Sequence, residues 1–213
     1  MNSHATVEAQ VSDPRLVESR RAEIIRAAVK LFSEQGYYNT TIQSIAREAG
    51  ISVGLVYQYF REKDDLLFLS LKDVLETYER EIPQSLEGLT HPLERLRVAI
   101  HTYCRVIDRR REATVLTYRS TKSLRHERRR YIMEGETRTN RMLEGCLREC
   151  VSQGYMRRVN APLLVYQYVH FAHAWALKSW AFRKRYSLNA YVREGLKLLV
   201  EPFLTAKGRR VPR

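Results

Sequence analysis

Cysteine is scarce in this 213-residue chain, which holds only Cys104, Cys146 and Cys150. Three irregularly spaced thiols cannot make a disulfide scaffold. Cys146 and Cys150 lie four apart on one face of an expected helix, but no further ligands at matched spacing complete a zinc site, so buried reduced thiols are expected. Glycine and proline are also sparse, at nine and six residues; with 44% hydrophobic and 29% charged residues this excludes wholesale disorder. Long apolar runs are missing too. No window approaches twenty uninterrupted apolar residues, and the opening MNSHATVEAQ lacks a basic segment followed by an apolar one. Neither a spanning helix nor a signal peptide is expected; the expected location is cytoplasmic, with no membrane partner.

Catalytic signatures are absent as well. There is no Gly-rich phosphate loop, no G-x-S-x-G and no H-E-x-x-H, so no enzyme and no cofactor is expected. Cys104 with His101, three residues earlier on one helical face, is the best nucleophile and base available; a structural thiol beside a pocket histidine is the simpler reading. Acidic residues are the last shortage: 24 against 37 Lys and Arg, a net charge of +13 and a pI near 9.9. Such a balance favours polyanions, whether nucleic acid, anionic membrane or phosphorylated ligands.

What is present is helical periodicity from end to end. Residues 1–15 are polar, with a break at Asp13-Pro14, and read as a flexible arm. From Glu18 to Gln35, Ile24, Ile25, Ala28, Val29, Leu31 and Phe32 recur at helical spacing, and Gly36 stops the run. Thr40 with Gln43 reads as a capping box opening a second helix that ends near Ala49. Gly50 suits a left-handed cap, and Ser52 caps a third helix, Val53 to Tyr59. Two such short helices joined by about three residues form a helix-turn-helix pattern. Asp64 and Asp65 open a fourth helix running toward Ile82-Pro83. Beyond it, helical periods fill 93–108, 112–123, 125–152, 161–184 and 188–206, and strand alternation is missing. The expected fold is all-α, with a small helix-turn-helix domain over 16–62 and a larger helical domain over 63–213, ending in a frayed basic tail.

A helix-turn-helix places the start of its second helix in the major groove while its first helix crosses the backbone. Ile42, Ile45, Ala46, Ala49, Ile51, Val56 and Phe60 are expected to pack inward, leaving Thr41, Ser52, Val53, Gly54, Leu55, Tyr57, Gln58 and Tyr59 facing away. Gly54 permits close backbone approach and Gln58 suits an adenine edge. Tyr57, Thr41 and Lys63 suit phosphate. On periodicity alone, a compact helical corner with half-buried tyrosines remains the alternative.

The string T-T-x-x-x-I-A-x-x-A-G-I-S-x-G-x-V-Y-x-Y-F-x-x-K-x-x-L, from Thr40 to Leu66, is similar to the N-terminal signature of the TetR family of bacterial transcription regulators. Ala28, Leu31, Phe32 and Gly36 extend the match back over the first helix. Glu62 departs from it, standing where the family more often has a small capping residue. The resemblance implies an all-helical homodimer whose two reading heads meet successive major grooves of a palindromic operator. It also implies a C-terminal domain that holds an inducer and dimerises through its last two helices, here 161–184 and 188–206.

Positive charge is densest outside the reading head. Residues 15–63 hold eight bases against five acids, whereas residues 105–130 hold ten against three. A solvated helical surface, arginine forks for a phosphorylated ligand, and generic DNA contact all remain open for that cluster. In helix 161–184, Tyr168, Phe171, Trp175 and Phe182 form an aromatic stripe, and Ala172, Ala176 and Ser179 form a small-residue stripe expected to meet a partner subunit. His170, His173 and Lys178 interrupt this apolar helix. Two histidines are a weak metal signal, so no metal site is expected; with Trp175 and with Tyr103, Arg105, Tyr118 and Arg119 from neighbouring helices they form the candidate ligand cavity. The segments W-A-L-K-x-W (Trp175 to Trp180) and Y-S-L-x-x-Y (Tyr186 to Tyr191) also resemble the acyl-CoA-responsive branch of the family, which implies an acyl-CoA effector. A different hydrophobic or aromatic inducer, or a nonspecific nucleic-acid binder, are the competing readings; sequence preference at physiological salt separates the last.

Overall fold

The computed structural model describes Val7 and residues 9–212, and among them the only extended pairing is an isolated antiparallel bridge between Met156 and Leu204. All regular structure among the described residues is helical. The helices are α1 (Pro14–Gln35), α2 (Ile42–Glu48), α3 (Val53–Tyr59), α4 (Lys63–Ser85), α5 (Pro92–Arg109), α6 (Arg111–Ser120), α7 (His126–Ser152), α8 (Ala161–Leu177), α9 (Ser179–Phe182), α10 (Leu188–Leu199) and α11 (Ala206–Arg209). The chain forms two compact units, one made of residues up to Val74 together with Glu112–Glu134, the other of Leu75–Arg111 with everything from Gly135 on. Most of the first ten residues of the expected arm lie outside the described residues.

Local chemistry places the helix starts, in two cases not where periodicity put them. Asp13-Pro14, read above as a break, opens α1 instead: the Asp13 carboxylate accepts from the N–H of Arg15 at 3.0 Å and of Leu16 at 3.4 Å, and Pro14 loses nothing at a position with no intrahelical donor. The helix therefore begins four residues before Glu18. Thr41, not Thr40, caps α2, exchanging hydrogen bonds with Ser44 at 3.1 Å in each direction. Thr40 is buried with its hydroxyl donating to the Gly36 carbonyl at 2.9 Å, so it closes the preceding turn. Ser52 caps α3 as expected, accepting from the Leu55 N–H at 3.1 Å, and Gly50 holds φ +67°. Further on, the expected 161–184 helix breaks at Lys178, and the 188–206 helix ends at Leu199 ahead of a 3₁₀ turn that contains Pro202.

In the first unit, Ile24, Ala28 and Phe32 of α1, Ile45 of α2, Val56 of α3 and Leu66, Leu67 and Phe68 of α4 are buried together with Phe60. In the second, Leu96, Ile100 and Cys104 of α5, Leu143, Leu147 and Cys150 of α7, Val165, Tyr168, Ala172 and Trp175 of α8 and Val192 of α10 make the core. Ala172 and Ala176 are buried within their own chain, so of the small-residue stripe expected to meet a partner only the half-buried Ser179 is left uncovered. The buried alanines let α8 approach its neighbours closely. Gly195 does the same for α10, because a Cβ there would run into the Phe171 ring.

Candidate functional site

Three short features orient the helix-turn-helix. Ile42, Ile45 and Ala46 anchor α2, Val56 and Tyr59 anchor α3, and Phe60 closes the corner behind it. Val56 and Tyr59 are three apart and therefore share a face. That geometry buries Tyr59 to 3% exposure, correcting its expected outward position. Thr41, Ser52, Gly54, Tyr57 and Gln58 are exposed, while Val53 and Leu55 are half-buried. The exposed set spans both ends of α3 and presents a hydroxyl, an uncovered backbone, a phenol and an amide.

Lys63 is spent inside the protein. Its ammonium donates to the carbonyls of Tyr37 (2.7 Å), Thr40 (2.8 Å) and Tyr38 (3.3 Å) and lies 4.5 Å from the Tyr37 ring centroid. An ammonium has three donors, so none remains for the phosphate assigned to it above. Burial lowers its pKa, and the same packing pushes the Tyr37 phenol up to about 12. Lys63 thus clamps the α1–α2 turn onto the start of α4. Tyr38, absent from the candidate residues above, is held by that clamp 76% exposed, with its hydroxyl accepting from Ser123 Oγ at 2.9 Å. The adjacent Tyr37-Tyr38 pair was the available signal.

The second unit gathers a different chemistry. The Tyr103 hydroxyl and His173 Nε2 stand 3.3 Å apart, Tyr78 stacks on Tyr103 with ring centroids 4.3 Å apart, and Trp175 Nε1–H donates to Asp108 at 2.8 Å. Tyr191 stacks on Phe171 at 4.3 Å and donates to the Phe171 carbonyl. Burial, with a smaller push from His170, drives the His173 imidazole down to about 4. Burial likewise raises the Tyr78 phenol, with Tyr103 adding to it, and the Glu136 carboxyl. The hydroxyls of Tyr78 and Tyr168 are buried without a hydrogen-bond partner, which is costly unless something else satisfies them.

Of the eight expected ligand residues, the structure therefore brings Tyr103, His173 and Trp175 into one aromatic region. Arg105 and Lys178 are exposed, and His170 faces out with its Nδ1–H donating to the Tyr166 carbonyl at 2.6 Å. Tyr118 and Arg119 are exposed on α6, in the first unit. Cys104 and His101 do not pair: Cys104 is fully buried with its thiol pushed up to about 12, and His101 bonds to Asn189 at 3.0 Å. Among the described residues, no cluster of three or more His, Cys, Asp or Glu could hold a metal ion, and no helix is long and apolar enough to cross a membrane.

Comparison with known proteins supplies the context. Residues 24–69 match the family model for bacterial regulatory proteins of the tetR family, and residues 89–176 match the tetracyclin repressor-like C-terminal domain. The chain is 64% identical to the HTH-type transcriptional regulator HbdR of Aromatoleum sp. (strain CIB), over 100% of this chain and 95% of that protein. It is 24% identical to the fatty acid metabolism regulator protein of Bacillus subtilis (strain 168), over 84% of this chain and 92% of that one. Its fold matches the crystal structure of AibR in complex with isovaleryl coenzyme A and operator DNA with a TM-score of 0.75 at 20% identity, covering 86% of this chain and 100% of AibR.

Proposed function

Because the chain belongs to the TetR family of bacterial transcription regulators, we propose that it acts as a homodimeric repressor, released from a palindromic operator by a small effector of the acyl-CoA class. It is a regulator and not an enzyme, and its DNA partner puts it in the cytoplasm. The observation that carries the DNA reading is the exposure of Ser52, Gly54, Tyr57 and Gln58 on a helix anchored from behind by Val56 and Tyr59. Two such helices about 34–36 Å apart meet successive major grooves.

The dimer reading rests on exposed apolar side chains of α8 to α10. Leu163 is 63% exposed, Tyr166 48%, Trp180 72% and Leu198 71%. Exposed residues of this size on three consecutive helices favour burial against a second copy.

The effector reading rests on the aromatic region around Tyr103 and His173, where burial holds the His173 imidazole neutral at pH 7 and the Tyr78 hydroxyl is unsatisfied. An apolar site with a few convergent polar groups suits an acyl chain or an aromatic ring. The names of the Bacillus regulator and of AibR favour the acyl-CoA. The same neutrality also suits an uncharged aromatic inducer, the second reading. Operator binding is measured by fluorescence anisotropy against a panel of acyl-CoAs, their free acids and uncharged aromatics. Release by a CoA thioester alone supports the first reading and release by an uncharged aromatic the second; failure of every member overturns the effector assignment. Coupling must also be reciprocal, so operator DNA weakens effector binding by the same factor.

A further inference from the structure

We infer that Arg128, at the start of α7, is a positioning residue for operator binding: it sets the corner between the recognition helix α3 and α4 without touching DNA. The inference rests on the DNA-binding reading above and adds a residue that no helix-turn-helix pattern contains.

The corner has an unusual charge problem. Helix α4 begins at Lys63 behind Glu62, with no hydroxyl or amide side chain at the cap. Asp65 does the capping from inside the first turn: its Oδ2 accepts from the backbone N–H of Arg61 at 2.7 Å and of Glu62 at 3.0 Å. Asp64 stands beside it, and both are buried, at 8% and 3% exposure. Two adjacent buried carboxylates repel each other and are costly to desolvate unless a cation is shared between them.

Arg128 is that cation. Its Nη1 donates to Asp64 Oδ2 and its Nη2 to Asp65 Oδ1, one arm of the fork to each carboxylate, and the guanidinium carbon lies 5.2 Å from the Phe68 ring centroid. Its side chain is 14% exposed, which leaves it no route to a phosphate. Arg125 supports the rim by donating to Glu62 at 2.7 Å. Across the corner, Arg21 donates to the carbonyl of Tyr59, the last residue of α3, at 3.1 Å. The end of the recognition helix and the start of α4 are thus each tied by a guanidinium. The face that Ser52, Gly54, Tyr57 and Gln58 present depends on where that end is held. Arg128 comes from Glu112–Glu134, which packs in the same unit as the head despite a separation of 63 residues between Arg128 and Asp65.

A planar fork bridging two acceptors is something lysine cannot reproduce. The experiment uses the full-length protein and an operator that the wild type selects from a random DNA pool, with affinity measured from 50 to 200 mM salt. Arg128→Lys keeps the charge and loses the fork. We expect its operator affinity to fall about tenfold. Amide hydrogen exchange at Arg61 and Glu62 should speed up about tenfold while that of α5 and α8 stays put. Because Arg128→Met strands two carboxylates and can unfold the head, the double variant Arg128→Met/Asp64→Asn serves as the second probe; it should show the same local pattern with the salt slope unchanged, since removing a phosphate contact would flatten the slope by about 0.9. Unchanged operator affinity in Arg128→Lys overturns the inference, as does a flatter salt slope in the double variant, which would make Arg128 a direct DNA contact. Exchange that accelerates equally everywhere overturns it too, reducing the residue to a general stabiliser. If the wild type selects no sequence at all, the DNA-binding reading falls with it.

Discussion

The Tyr103 hydroxyl shares a hydrogen bond with His173 Nε2, 3.3 Å away and seventy residues along the chain, in a region that keeps the imidazole neutral. The unfolded chain takes up this proton near the ordinary 6.5, the folded chain only near about 4. Stability that depends on neutral His173 is therefore complete above pH 6.5 and is lost as the pH falls toward 4. The melting temperature measured from pH 7 to pH 4 should drop more steeply for the wild type than for His173→Gln. Parallel curves would show that the imidazole titrates freely.

Tyr57 and Gln58 point out from α3, whereas Tyr59 points in. Tyr57→Ala and Gln58→Ala should weaken operator binding at nearly unchanged melting temperature, the Gln58 change costing about 1–3 kcal/mol of base discrimination if it reads an adenine. Tyr59→Ala should do the opposite first, lowering stability by about 3 kcal/mol through the cavity it leaves. Calorimetry and anisotropy on the three variants check the pattern.

Lys63 is bound to three carbonyls. Lys63→Met should therefore destabilise the head by about 2 kcal/mol, the scale of a lost hydrogen bond to a charged group, and leave the salt slope of DNA binding where it was. A flatter slope in denaturant-free titrations would restore the phosphate contact.

Leu198, 71% exposed on α10, and Trp180, 72% exposed on α9, belong to the face assigned to the second subunit. Leu198→Glu should shift sedimentation from dimer to monomer at micromolar concentration, because a carboxylate buried without a partner opposes association. Melting of the monomer unit should change little, since most of the side chain is uncovered in its own chain.

Gly195 sits where α10 passes the Phe171 ring. Gly195→Ala should force that ring off its stack with Tyr191 and lower stability by about 1–3 kcal/mol, read by thermal unfolding.

Most of the helices and the inner faces of the head were legible because spacing and capping are local, although the 161–184 run breaks at Lys178 and the 188–206 run at Leu199. Glycine at 36 and 50 and serine at 52 fall where the chain turns. What misled was also local: Asp13-Pro14 serves equally as a break or a helix start, and Thr40 reads as the cap although it is drawn into the preceding turn and Thr41 caps instead. Tyr59 looked outward because tyrosine tolerates either side of a surface, and only its register with Val56 places it inside.

The order of amino acids by itself determined an all-helical chain, a helix-turn-helix with an exposed Ser52-to-Gln58 edge, and a family, since all of these follow from periodicity, caps and a short contiguous motif. Tertiary structure alone decided which charges are free. Lys63 and Arg128 carry the same formal charge as their exposed neighbours, yet one is bound to three carbonyls and the other to two carboxylates. Partners so distant along the chain leave no periodic trace, because a long flexible side chain finds its acceptor through packing and not through spacing.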